Sequence, residues 1–232
     1  VGGRGGVSLF RDQAACPFRA FATHRLHARP LESPEPGLAA RLRGSLAHVA
    51  MERAWAELKP HAARCELDPA GLRQVAERAA GEAAADLARR QPQWRGTSLL
   101  DLERERLGAL VFDVLGLERA RAPFEVVARE ARLPARFGGV EIEARLDRMD
   151  RLASGGHVVI DYKSGKAAVG AWFGERPEEP QLPIYCASAG LPIAGVAFVR
   201  LSRRALNDLA AGGAPRVFVG LAQGEEAFPK AA

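Results

Sequence analysis

Apolar residues recur at helical spacing through the first half of the chain and at strand spacing through much of the second. Between Gly37 and about Lys59, Leu38, Leu42, Leu46 and Val49 fall at i, i+4 and i+7 intervals, which predicts an amphipathic helix ended by Pro60. Upstream, "SLFRDQAACPFRAFATHRL" (8 to 26) has short helical character, and "ARPLESPEPG" then breaks it with three prolines. Residues 70 to 91 and 98 to 120 predict two further helices, rich in Ala, Leu, Arg and Glu and parted by "QPQWRGTS".

The texture changes after residue 120. "FEVVAREARLPA", "VEIEARLDRMDRL" and "HVVIDYKS" are β-branched segments joined by "RFGG" and "ASGG", the punctuation of an antiparallel meander. A helix is expected from about Pro180 to Ala189, with Pro183 near its first turn. "GVAFVRL" reads as a further strand, and the tail offers one more short strand. Residues 1–36 form an expected N-terminal helical segment and linker, and 37–232 a single domain interrupted by helices at about 65–120.

Composition narrows this picture only modestly. With 232 residues and 47% hydrophobic content the chain can bury a sizeable core. A formal charge of +5 favours an anionic partner without identifying one. Of the 33 basic residues only Lys59, Lys163, Lys166 and Lys230 are lysines, and two of them fall in "DYKSGK". Cys16, Cys65 and Cys186 have neither paired nor C-x-x-C spacing, which fits a reducing cytoplasm and argues against a disulfide framework. There is no apolar run of membrane-spanning length and no signal-peptide pattern. Without an initiating Met the chain reads as a piece of a longer polypeptide.

The candidate chemistry lies in the meander. Alternation along "VIDYKS" sends Asp161 and Lys163 to one face and Ile160 and Tyr162 to the other. Asp147, one short turn upstream, comes beside Asp161 if the hairpin pairs in its simplest register. Two carboxylates brought together are costly unless a cation joins them, and magnesium or manganese suits such oxygen ligands. A single D-x-K is also compatible with a surface ion pair.

The ordered motifs "GSLAH" (44 to 48), "RLDRMD" (145 to 150), "IDYKSGK" (160 to 166) and "QLPIY" (181 to 185) resemble those of the PD-(D/E)XK nuclease superfamily, in particular its RecB/AddB-type branch. The resemblance runs from about Cys16 to Tyr185. It implies an α/β, restriction-endonuclease-like core: a central mixed β-sheet flanked by helices, with a helical insertion. It implies a divalent-metal-dependent deoxyribonuclease, an exonuclease by expectation, serving as the nuclease module of a DNA recombination or repair protein beside helicase or other repair domains. By the same resemblance Asp147, Asp161 and Lys163 are catalytic. His48, Asp147, Asp161 and the Tyr162 carbonyl are metal ligands for Mg2+ or Mn2+, and Gln181 and Tyr185 contact DNA or orient Lys163. The alternative function is a DNA-binding module that keeps the fold without turnover.

Several residues keep a second reading. His48 borders the apolar stripe of its helix near Glu52 and Trp55, as a core histidine would. Gln181 and Tyr185 could cap and pack a helix. Glu130 could join the acids or form a cross-strand pair, and Asp150 reads as a partner of Arg148 or Arg151. Two departures from the family are visible. Ala144 replaces a usual glycine, and Cys16 stands where AddB-type relatives carry a cluster cysteine whose later companions are missing. No iron–sulfur cluster is therefore expected, and Cys16 is expected as a small buried hydrophobe.

Overall fold

The structure is a computed structural model and describes residues 6–29, 31, 37–58, 67–137, 140–202, 205–206, 217–224 and 226–229. Cys65, Pro60 and the Gly138–Gly139 turn therefore lie outside the described residues. Two short helices, α1 (Gly6–Ala15) and α2 (Pro17–His24), precede α3 (Ala40–Glu57), α4 (Pro69–Arg90) and α5 (Ser98–Arg119). The sheet follows as β1 (Phe124–Phe137), β2 (Val140–Leu152) and β3 (His157–Lys163). Then come α6 (Gln181–Ser188), β4 (Ile193–Arg200) and β5 (Phe218–Ala222).

Local chemistry explains where the long helices begin. The Asp68 side chain accepts the Gly71 N–H at 2.7 Å, with Pro69 in the first turn, and Thr97 Oγ1 accepts the Leu100 N–H. A buried stripe of alanines, Ala76, Ala79, Ala80, Ala83 and Ala84, lets α4 pack closely against α5 and α3.

Spatial order in the sheet is β1-β2-β3-β4-β5, and only β3 and β4 run parallel, with α6 in the connection between them. An α/β core with a mixed sheet flanked by helices is thus observed. One face carries Val158, Ile160, Tyr162 and Val199 against Met51, Trp55, Leu107 and Val111 of the helical layer. The other carries Val159 and Phe198 against Trp172 of a 3-10 turn and Leu182 and Tyr185 of α6. Val7 of α1 extends that second face by packing on Ile142, Ala144 and Ile184.

Cys16 corrects an expectation. It is exposed, not buried, because it caps α2 in an extended backbone state at the junction where α1 stops and Pro17 starts the next helix.

β2 departs from simple alternation. Ile142, Ala144 and Leu146 face α6, and so does Met149, whereas Arg148 and Asp150 point into the layer of α3 and α5. The alternation therefore slips by one step at Asp147. Across from it, Glu130 of β1 takes φ +45°, a backbone state uncommon for any residue with a side chain. The strands change face together at this row.

Candidate active site

The row is built by register. Arg148 pairs with Ile160, so the next position places Asp147 opposite Asp161. Pairing of Arg129 with Arg148 and of Ala131 with Leu146 places Glu130 opposite Asp147 on the other side. A bulge near Val127 sets this register. Three acids from three neighbouring strands thus share one line across the sheet. Beyond Ile160 the strands part, and the Tyr162 N–H is donated to Asp147 Oδ2 at 2.8 Å. The carbonyl of a strand residue points to the same edge as its N–H, so that of Tyr162 is directed toward the Asp147 side.

α3 brings the imidazole. A Cβ on Gly44 would lie 2.9 Å from Ser164 Oγ, so the glycine of "GSLAH" permits the helix to approach the end of β3. One turn later His48 Nδ1 stands 3.3 Å from Asp147 Oδ2, with its ring edge-on to Tyr162 at 5.8 Å. A further turn on, Glu52 and its carbonyl accept from Arg129 of β1, tying α3 to the sheet beside the acids.

Asp161 and Lys163 share a face as alternation requires, with Oδ2 and Nζ 3.0 Å apart. Lys163 also donates to Glu179 Oε2 at 3.2 Å and lies over the Phe198 ring at 5.3 Å. Gln181 donates to the Arg145 carbonyl at 2.8 Å, which fixes β2 two residues before Asp147. Tyr185 is buried, with its hydroxyl 3.5 Å from Met149 Sδ, and so packs α6 onto the sheet.

Burial and like charge dominate the electrostatics. Burial first, then the neighbouring Asp147, push the Asp161 carboxyl up to about 7 against the opposing pull of Lys163. Glu130 is raised by burial and by Asp147, against the pull of Arg145. Burial works against the His48 imidazolium, but Asp147, Asp161 and Glu130 outweigh it and the pKa rises. Lys163 follows the same pattern, with Asp161 and Glu179 overcoming desolvation. Asp161 Oδ2 is enclosed, and its contact with Lys163 lacks hydrogen-bond alignment. One donor atom each from His48, Glu130 and Asp147 also falls within 4.8 Å of the others. Such a set, carboxylates with one imidazole in a half-open site, suits a hard or borderline divalent ion.

Sequence reasoning brought His48, Asp147, Asp161, Tyr162 and Lys163 to one place, and the structure gathers all five. Glu130 proves to have both of its suggested contacts, since it joins the acids and also accepts from Arg145 Nε at 2.6 Å. Glu179 was missed. Its only signal was its place two residues before Gln181, and nothing in a loop sequence tells which strand it will meet.

Comparison with protein families matches residues 7–227 to a family model described as the PD-(D/E)XK nuclease superfamily. Comparison with curated proteins gives no match.

Proposed function

The chain belongs to the PD-(D/E)XK nuclease superfamily, and we propose that it is a divalent-metal-dependent deoxyribonuclease of the RecB/AddB type. In this reading it acts as an exonuclease and as the nuclease module of a cytoplasmic DNA recombination or repair protein. The observation that carries the proposal is the meeting of Asp147 and Asp161 one step past the last paired row of the β2–β3 hairpin, with Lys163 3.0 Å from Asp161.

The residues present fit a metal ion. Asp161 Oδ2 is buried with no aligned hydrogen-bond donor among the described residues, and beside the Lys163 ammonium the nearby groups are carboxylate oxygens and one imidazole. His48, Asp147, Asp161 and the Tyr162 carbonyl would hold Mg2+ or Mn2+, which supplies Lewis acidity and a water of lowered pKa. The imidazole moves the preference toward manganese.

The chain's own groups do the rest. Lys163, held between Asp161 and Glu179, keeps an ammonium beside the acids, where it orients the attacking water and offsets charge that develops on a phosphate. Gln181 holds the β2 backbone that carries Asp147, and Tyr185 supports that arrangement from the apolar layer below. Phosphate contacts carry no base identity, so cleavage is expected to be largely sequence-independent.

End-labelled linear DNA, single and double stranded, tests the reading with manganese, magnesium or chelator. Cleavage is expected only with metal, and Lys163→Ala should abolish it. Equal cleavage by that variant, or none by a folded wild-type chain with any metal, overturns the assignment.

A further inference from the structure

Glu130 and Arg145 are not required by the ligand set just described, yet both stand at its edge. The Glu130 side chain is 19% exposed, and that of Arg145 is 64% exposed. Arg145 Nε donates to Glu130 Oε2 at 2.6 Å, and Nη2 touches the same oxygen. The pair is not symmetric in its surroundings. Glu130 looks inward to His48 and Asp147, with donor atoms of the three within 4.8 Å of one another, whereas Arg145 lies mostly in solvent with its own carbonyl held by Gln181.

A six-coordinate ion with bonds of about 2.1 Å sets its ligand atoms roughly 3 to 4 Å apart. The His48, Glu130 and Asp147 donors are therefore a small side-chain rotation from a shared ion, and the obstacle to that rotation is the hold of Arg145 on Glu130. The local backbone points the same way. Glu130 is held at φ +45° where β1 and β2 change face, in the same row as Asp147.

We propose that Glu130 exchanges partners: it is held by Arg145 without metal, and a divalent ion draws it into coordination with His48 and Asp147, which releases the Arg145 guanidinium to a DNA phosphate. The proposal rests on the nuclease reading for its site and substrate. Its consequence is reciprocal coupling, because metal that takes Glu130 favours DNA through Arg145, and DNA that takes Arg145 favours metal. A planar guanidinium suits phosphate oxygens, and release from a carboxylate turns a neutral pair into a free cation at the mouth of the site.

Manganese titrated calorimetrically into the metal-free chain tests this without any turnover. Glu130→Gln should weaken manganese binding by at least about tenfold, the loss that even an outer partner of a ligand causes. Arg145→Met should instead tighten it, since the competitor for Glu130 is gone. A merely structural ion pair predicts shifts of the same sign, or none, and either result overturns the proposal.

Calcium-supported binding of a short single-stranded oligonucleotide gives the second arm. Calcium should strengthen wild-type binding, and Arg145→Met should lose most of that gain. An equal gain in the variant removes Arg145 from the scheme. If the wild-type chain binds no divalent ion at all, the nuclease reading itself falls. Normal manganese binding with an unaffected Glu130→Gln defeats only this inference. Circular dichroism and a Glu130→Asp variant separate loss of a ligand from loss of fold.

Discussion

β2 carries two buried charge clusters only one residue apart, and they are opposites in balance. On the side of α5, Arg148 donates to Glu118 Oε1 at 2.6 Å and to both Asp150 oxygens at 2.7 and 2.6 Å, and Arg121 donates to the same two acids. Two acids meet two arginines, and all four side chains are fully enclosed. The Arg148 guanidinium lies over the Trp55 ring at 3.8 Å from its centroid and that of Arg121 over Phe124 at 4.0 Å, while Arg121 Nε and Nη2 have no hydrogen-bond partner among the described residues. On the other side Glu130, Asp147, Asp161 and Glu179 meet Lys163, the exposed Arg145 and the His48 imidazole.

The titration behaviour follows the balance. Burial would raise Glu118, but Arg148 and Arg121 hold it down to about 2. Burial does raise Asp161, to about 7, because Asp147 adds to it and Lys163 offsets only part. A charge-balanced cluster fixes structure, whereas an under-compensated one is set to take up a cation.

The comparison breaks first at Arg148. Arg148→Met leaves Glu118 and Asp150 buried with too little positive charge and should cost about 3–5 kcal/mol in urea unfolding. A loss below about 1 kcal/mol would mean that the enclosed network does not hold this face together.

Acid titration is next in size. The folded-state value of Glu118 lies below its unfolded value of about 4.5, so its stabilisation is present above that pH and is lost as pH falls toward 2. The loss amounts to about 3 kcal/mol at most. Unfolding free energies measured from pH 5 to 2 should show this limb in wild type and lack it in Glu118→Gln.

Asp161 has the reverse sign. Its folded value lies above the unfolded one, so in chelator stability falls as pH rises from about 4 to about 7. At pH 8 Asp161→Asn should therefore be more stable than wild type in chelator while losing cleavage and manganese binding. A destabilised variant would mean that the acid row is not under strain from its own charge.

The smallest effect is expected at Gln181. Gln181→Ala removes one hydrogen bond to the Arg145 carbonyl and should cost about 1 kcal/mol in stability, with cleavage slowed several-fold. Unchanged kinetics would show that β2 holds its slip at Asp147 without help from α6.

Most of this site was legible because its residues are local. Asp161 and Lys163 share a face by the period of a strand, Asp147 lies one hairpin away, and the "GSLAH" helix has an apolar stripe that must dock on the sheet. Asp150 was legible as an arginine partner, and Arg148 meets it. Glu118 and Arg121 were not, because they lie 30 or so residues away at the end of α5 and only packing brings them to β2. Cys16 misled because its residue type favours burial while its place at a helix junction decides otherwise.

The sequence by itself determined the elements, the hairpin and the identity of the acids, since periodicity, turn residues and side-chain chemistry are properties of neighbouring positions. Tertiary structure alone decided the slip of β2 at Asp147, the left-handed Glu130 opposite it and the loop that delivers Glu179 to Lys163. In "EARLDRMD" the apolar spacing lengthens from two to three between Leu146 and Met149, but which face each polar residue takes depends on how α3, α5 and α6 compete for the two sides of one strand. That competition involves contacts between residues far apart in the chain, and its free energy is set only when the layers close.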